Sequence, residues 1–238
     1  MPAPITIADV FTQLDRWRHL PSYQLERRAD IYIALFLDTF VAAAEQTPIH
    51  PVVIPEFPIK RDLIWPEKPT NKSVKVDCVL FSQDKTKVYF IELKTDADSR
   101  RKAQDDYLAR STEIGFRAIL EGLLIVAKHS LAVRKYYHLL THLSQAGVLT
   151  LPPDIEARAF ERQPTVPHDI FDTVAIDSAT AASSIVVRYL EPRATSSQSY
   201  SFSQLADHLR GLPGDLAQTL ANHLEKWTTP AAAQPPAK

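Results

Sequence analysis

The spacing of apolar residues predicts two helices at the start of the chain. Thr6, followed three residues later by Asp9, forms a capping box for a short helix that we expect to end at Pro21. A longer helix is predicted from residue 22 to residue 46, because this stretch contains neither proline nor glycine. Its apolar side chains recur at helical spacing, at Leu25, Ala29, Tyr32, Phe36 and Phe40.

Apolar runs rich in β-branched and aromatic residues predict strands in the middle of the chain. Residues 74–82 and 87–94 have this composition and flank a short polar turn, so they predict a hairpin. Residues 52–58 contain Pro55 and Pro58 and suit a strand near the edge of a sheet, since proline cannot donate to a central ladder. A further buried strand is predicted at 184–190.

Helical spacing returns after the hairpin. A helix capped by Asp98 or Ser99 is predicted to run through Leu108, and apolar spacing continues over 119–127 and 136–143. Closing helices are predicted at 203–210 and 215–227, before a tail, 228–238, that is too poor in apolar residues to pack. We therefore expect a single α/β domain over residues 1–227, with a helical insertion at about 109–147 and a disordered tail.

Scarce glycine excludes several kinds of site. The chain has five glycines in 238 residues, and the first stands at position 115. A Walker loop, a dinucleotide-binding G-x-G-x-x-G turn and a G-x-S-x-G nucleophile elbow all need glycines that this chain lacks. Any phosphate chemistry must therefore depend on side chains and metal.

The remaining composition indicates the setting of the protein. Cys78 is the single cysteine, so no internal disulfide can form and a reducing, cytoplasmic location is expected. The start of the chain lacks the basic and apolar regions of a signal peptide. The longest apolar stretch, 31–44, contains Asp38 and is shorter than the ~20 residues of a membrane span, so no membrane partner is expected. A formal net charge of -1 leaves any nucleic-acid binding to local basic clusters.

Register arithmetic on the hairpin brings charged residues together. If Asp84 and Lys85 occupy the centre of the turn, Asp77 lies opposite Glu92, and strand alternation places Lys94 on the same face as Glu92. Two carboxylates directly across a sheet repel each other unless a positive charge lies between them, and a divalent cation is the natural candidate. Alternation also turns Cys78 away from Asp77. The alternative is a strand end whose charged residues emerge into solvent.

These residues resemble the PD-(D/E)XK nuclease superfamily, which has the restriction-endonuclease-like fold. Asp77 matches the first acid of its motif, although Val76 stands where proline is usual, and Glu92-Leu93-Lys94 matches the (D/E)-x-K element. The resemblance implies an α/β core of one helix, a three-stranded meander, a second helix and a fourth strand. It also implies Mg²⁺ or Mn²⁺ held by Asp77, Glu92 and the Leu93 carbonyl, with Lys94 positioning the attacking water.

The resemblance extends to weaker candidates on the helices. Many members add an acid from the first core helix, for which Glu26 is the candidate and Asp30 the alternative. Gln104 and Tyr107 are similar to the Q-x-x-x-Y element of RecB-like exonucleases, with one residue fewer between them. A basic run at the start of the following helix is a candidate contact for flanking phosphates, although nearby aspartates balance its charge: Arg100, Arg101 and Lys102. Glu56 is interpreted as a surface residue of the edge strand.

Three hypotheses follow for function. The first is a metal-dependent nuclease that acts on DNA, with RNA as the alternative substrate. The second is a catalytically inactive protein of the same fold that binds nucleic acid or a protein partner, with the insertion at 109–147 as a surface for that partner or for a homodimer. The third is a helical interaction module in which the hairpin is only a flap.

Overall fold

The computed structural model describes residues 6–18, 20, 24–67, 70, 72–95, 101–155, 157 and 168–228. Several predictions from the sequence fall outside these residues. They are the helix end at Pro21, the helix start at residue 22, the cap at Asp98 or Ser99, the contact at Arg100 and the tail from residue 229 onward.

A mixed five-stranded sheet forms the centre of the structure, in the order β1-β2-β3-β6-β7. The first three strands are antiparallel neighbours, whereas β6 runs parallel to β3 and β7 runs parallel to β6. This sheet confirms the predicted α/β class and shows that the flap hypothesis is wrong. Its strands are β1 Ile54–Lys60, β2 Ser73–Phe81, β3 Lys87–Leu93, β6 Ser184–Glu191 and β7 Ser199–Ser201; β4 Leu149–Thr150 and β5 Ala175–Ile176 pair separately.

The edge position of β1 follows from its prolines. Pro55 and Pro58 lie within this strand, which pairs only with β2 in the sheet order. The hairpin and β6 form the central strands, and their apolar runs match burial on both faces.

Helices cover both faces of the sheet. Along β3, Val88 and Phe90 point to one apolar cluster, and Tyr89 and Ile91 point to the other. We call the first the α5 face and the second the α2 face, after the helices that border the candidate site. The helices are α1 Ile7–Trp17, α2 Glu26–Ala34, α3 Leu37–Glu45, α4 Arg61–Ile64, α5 Lys102–Ile114, α6 Phe116–Lys128, α7 Val133–Gln145, α8 Ser178–Ala181, α9 Phe202–Arg210 and α10 Asp215–Trp227, and a 3-10 helix spans His168–Thr173.

The predicted insertion contributes to the core. Phe116 and Leu123 of α6 and Leu140 of α7 are buried in the cluster on the α5 face, together with strand residues such as Phe90. The helices that follow α5 therefore cover the sheet. In the part of the chain that the structure describes, no helix is long and apolar enough to cross a membrane.

The prediction of one long helix over residues 22–46 is wrong in one respect, because the structure has two helices, α2 and α3, with a break at Leu35 and Phe36. Phe36 has φ -123° and ψ 0°, and its N–H donates to the Ile33 carbonyl instead of continuing the α-helical ladder. No proline or glycine marks this position. Separate burial of Ile33 in α2 and Phe40 in α3 indicates that packing on the sheet overrides the local helix propensity.

Helices α1 and α10 are joined by a polar contact. Asp15 of α1 accepts a hydrogen bond from Trp227 Nε1 of α10 at 2.7 Å, and its other carboxylate oxygen lies 2.9 Å from His223 Nδ1 of the same helix. Trp227 and His223 are buried, so these groups have little access to water if the carboxylate is removed.

Asp15→Ala is expected to lower the free energy of unfolding by about 1–3 kcal/mol, because it leaves the buried Trp227 indole N–H without its acceptor. Urea denaturation measures the change. Asp207→Ala, at an exposed carboxylate that pairs with Arg210, is the matched control and should change stability by less than about 0.5 kcal/mol. Equal losses in the two variants would contradict the role of Asp15.

Candidate active site

The hairpin has the predicted register. The β2–β3 pairs are Phe81↔Val88, Leu80↔Tyr89, Val79↔Phe90 and Cys78↔Ile91, and the turn contains Lys85 at φ 60°. Continuing this register by one residue aligns Asp77 with Glu92. The ladder itself stops at the Cys78↔Ile91 pair, so these two acids lie where the strands begin to separate.

A matching irregularity in β1 and β2 redirects Asp77. The residues of β2 on the α5 face are Val74, Val76, Val79 and Phe81. Two residues, 77 and 78, therefore lie between Val76 and Val79, where a regular strand that alternates its side chains between faces would have one; we call this a skip. In β1 the corresponding residues are Ile54 and Phe57, with a similar skip at 55–56. Because both strands contain the skip, the pairs Ile54↔Val79 and Phe57↔Val76 keep one register.

This irregularity corrects two expectations from strand alternation. Asp77 and Cys78 both line a cavity under α2, although alternation predicts opposite faces for them. Glu92 follows Phe90 on the α5 face, so the two acids approach the end of the hairpin from different sides. At the centre of the irregularity, Glu56 has φ 52°, a left-handed backbone conformation that is costly for a residue with a side chain.

Side chains replace the missing hydrogen bonds between β2 and β3. Ser82 and Lys87 form a hydrogen-bonded pair, and in an antiparallel ladder every second pair is of this kind. If the ladder continued, Val76 and Leu93 would be such a pair, and the Leu93 N–H would donate to the Val76 carbonyl. The Leu93 N–H donates instead to Asp77 Oδ2 at 2.9 Å. The Asp77 carboxylate is thereby fixed in the gap between the strands, next to Glu92.

Glu92 has no solvent exposure, and both of its carboxyl oxygens have hydrogen-bond partners. The Tyr107 hydroxyl lies 2.9 Å from Oε1, Lys94 Nζ lies 3.2 Å from Oε2, and Gln104 Nε2 donates to Oε2. Burial, followed by the charge of Asp77, raises the pKa of Glu92 to about 8. Glu92 therefore holds a proton at neutral pH in the absence of a bound cation.

The hydrogen-bond geometry of Tyr107 agrees with this protonation. Its hydroxyl lies 2.8 Å from the Lys75 carbonyl as well as 2.9 Å from Glu92 Oε1, and it has one hydrogen to donate. When the hydroxyl donates its hydrogen to the Lys75 carbonyl, a protonated Glu92 donates the hydrogen of the second contact to the hydroxyl oxygen. Burial and the charge of Glu92 also raise the pKa of Tyr107.

Lys94 is buried and joins three elements. Its ammonium lies 3.2 Å from Glu92 Oε2, 3.1 Å from the Leu93 carbonyl and 4.0 Å from Glu26 Oε1 at the start of α2. The backbone N–H of Lys94 donates to Leu190 of β6, which holds the residue beside the sheet. The ammonium thus contacts both Glu92 and Leu93, the groups predicted to bind a cation.

The cavity under α2 has a volume of about 330 Å³ and a largely acidic rim. Glu26, Asp30, Glu56 and Asp77 line it, with Arg27 and Lys75 as the basic residues and with apolar side chains as the floor. Burial raises the pKa of Asp30, and the charges of Glu56 and Asp77 add to that shift. Both acids proposed for α2 therefore border the cavity, and Glu56 belongs to it as well.

The residues on α5 divide into two groups. Gln104 and Tyr107 reach Glu92, although they are one residue closer in sequence than the resembled element requires. Arg101 and Lys102 are exposed at the start of the helix, and Arg101 borders a second cavity. The sequence indicated Tyr107 only through the Q-x-x-x-Y resemblance and gave it no role, yet its hydroxyl contacts Glu92 directly. Its three-residue spacing from Gln104 on one helix is the signal that places both side chains together.

The donor set suits a hard divalent cation. Asp77, Glu92, Glu26 and the Leu93 carbonyl offer oxygen atoms, and Mg²⁺ is commonly held by one or two carboxylates while it keeps several waters. Among the residues that the structure describes, no group of three or more histidine, cysteine, aspartate or glutamate side chains is arranged to hold a metal ion. Binding would therefore involve the Asp77–Glu92 pair together with the carbonyl and water.

Comparisons of this chain with protein-family models, with curated proteins and with solved structures gave no match.

The protonated state of Glu92 predicts a pH dependence of stability. The folded protein keeps this proton up to a pH of about 8, whereas the unfolded chain releases it near the ordinary glutamate pKa of 4.5. The free energy of unfolding should therefore fall as pH rises between these values, on the order of a few kcal/mol from this group. Glu92→Gln should remove that fall.

Urea denaturation from pH 5 to pH 9 in the presence of a chelator measures this difference. Glu113→Gln, at an exposed acid of α5, is the matched control and should keep the wild-type profile. Parallel profiles for wild type and Glu92→Gln would show that Glu92 is ionised in the folded protein.

Proposed function

We propose that the protein is a metal-dependent nuclease, similar to the PD-(D/E)XK superfamily, that hydrolyses phosphodiester bonds in DNA. The observation that carries the proposal is the buried Glu92–Lys94 pair, which lies beside Asp77 at the separated end of a central hairpin. The chain order of helix, antiparallel meander, helix and parallel fourth strand supports the same resemblance.

The proposed roles follow from the contacts. Asp77, Glu92 and the Leu93 carbonyl would hold Mg²⁺ or Mn²⁺, with Glu26 at the rim. When bound, such a cation supplies positive charge that acidifies water and neutralises the phosphate. Lys94 orients the attacking water or stabilises charge on the phosphoryl oxygens through its compact ammonium. Gln104 and Tyr107 hold the Glu92 carboxyl in one orientation.

A second candidate is a nuclease-like protein that binds nucleic acid without cutting it. The contacts of Lys94 favour this alternative, because its ammonium already neighbours Glu92 and the Leu93 carbonyl. Burial also raises the pKa of Glu92 to about 8, so a proton can neutralise the carboxyl when no cation is bound. Catalysis and metal binding therefore have to be measured separately.

Asp77→Asn, Glu92→Gln and Lys94→Met should each lower metal-dependent cleavage by about a hundredfold or more. The assay compares single-stranded, duplex and branched DNA and RNA oligonucleotides in Mg²⁺, Mn²⁺ and chelator. Asp207→Asn and Lys135→Met make the same chemical changes at exposed positions and should retain wild-type rates. Absence of cleavage on every substrate, together with absence of Mn²⁺ binding, would refute the nuclease proposal.

Lys94→Met should also tighten Mn²⁺ binding by roughly tenfold, about 1.4 kcal/mol, while cleavage is lost. The reason is that the substitution removes a positive charge that contacts Glu92 and the Leu93 carbonyl. Isothermal titration calorimetry at pH 8.5 gives the affinity, and Lys135→Met is the control. Weaker Mn²⁺ binding in Lys94→Met would mean that the ammonium supports the cation site.

A further inference from the structure

A second cavity adjoins the candidate active site. It has a volume of about 580 Å³, within the ~300–1,000 Å³ range of small-molecule sites. Residues 24–27, just before and in the first turn of α2, form one wall. Trp65 after α4, residues 94–95 after β3 and the first turn of α5 form the others. Glu26 and Arg27 border both cavities, so the two are neighbours. We call the second one the Trp65 groove.

The charge of the Trp65 groove differs from that of the cavity under α2. Arg27, Lys94 and Arg101 line the groove, and Glu26 is the single carboxylate among those of its lining residues that the structure describes. The cavity under α2 has four carboxylates against Arg27 and Lys75. An anionic group is therefore favoured in the groove, while a cation is favoured beside Asp77.

Aromatic and amide groups add a second kind of recognition. The Trp65 indole borders the groove, packs against the core cluster and has the Arg61 guanidinium 5.5 Å from its ring centroid, so its position is fixed. Gln24 and Gln104 place amide side chains in the same wall. An indole accepts a flat ring by stacking, and amides can hydrogen-bond the edge of a base.

We propose that the Trp65 groove binds one unpaired nucleotide of the substrate strand, next to the bond that is cleaved. The base contacts Trp65, and the flanking phosphates lie near Arg27 and Arg101. This inference rests on the proposed nuclease function and narrows its substrate. A base that enters the groove has to leave its stack, so single-stranded or frayed nucleic acid is preferred over an intact duplex.

The experiment measures binding of a short fluorescent oligothymidylate by anisotropy in chelator, where no cleavage takes place. Trp65→Ala should weaken binding about fivefold to a hundredfold, because one stacked base is lost. Trp65→Phe should retain most of the affinity, since a flat ring remains. Trp17→Ala, at a tryptophan that is 46 % exposed on α1, is the matched control and should bind as the wild type does. Urea denaturation checks that each variant is folded.

An abasic oligonucleotide tests the contact itself. Wild type should lose affinity when the base is removed, and Trp65→Ala should bind the two oligonucleotides equally. Unchanged oligothymidylate binding in folded Trp65→Ala would overturn the inference. If wild type binds through Trp65 but neither cleaves any substrate nor binds Mn²⁺, the groove proposal is supported and the nuclease proposal fails. If it cleaves and Trp65→Ala binds normally, the groove proposal alone fails.

Discussion

A carboxyl group that is shielded from water must find its hydrogen-bond partners inside the protein, and Glu92 finds them on two elements. Lys94 comes from the end of the same strand, and Gln104 and Tyr107 come from α5. Lys94 in turn approaches Glu26 at the start of α2. Helix α5 on one face of the sheet therefore contacts Glu92 directly, and helix α2 on the other face contacts it through Lys94.

The same point is where the sheet departs from regular geometry. The coupled skips in β1 and β2 turn Asp77 toward α2, and Glu56 takes a left-handed conformation that costs of order 1–3 kcal/mol. Because β2 and β3 separate here, the Leu93 N–H donates its hydrogen bond to the Asp77 side chain. Backbone strain and a carboxyl whose pKa is raised to about 8 therefore coincide, and such coincidences are typical of functional sites.

The parts of this structure that local chemistry determines were predictable from the sequence. The capping box at Thr6, the proline-bearing edge strand and the hairpin register all follow from short-range rules. The break at Phe36 and the skip at Asp77 follow from packing against distant elements, for which no proline or glycine gives a signal. The convergence of Tyr107 on Glu92 likewise depends on how α5 lies across the sheet. The nuclease activity remains a proposal from the residues and their geometry.

A crystal structure of the protein soaked in Mn²⁺ above pH 8 would locate the cation by its anomalous scattering. We expect an Mn²⁺ ion bonded to the Asp77 and Glu92 carboxylates, with the Lys94 ammonium displaced from Glu92. An ion bound elsewhere, or the absence of an ion while the Glu92–Lys94 contact of 3.2 Å stays intact, would rule out the proposed cation site.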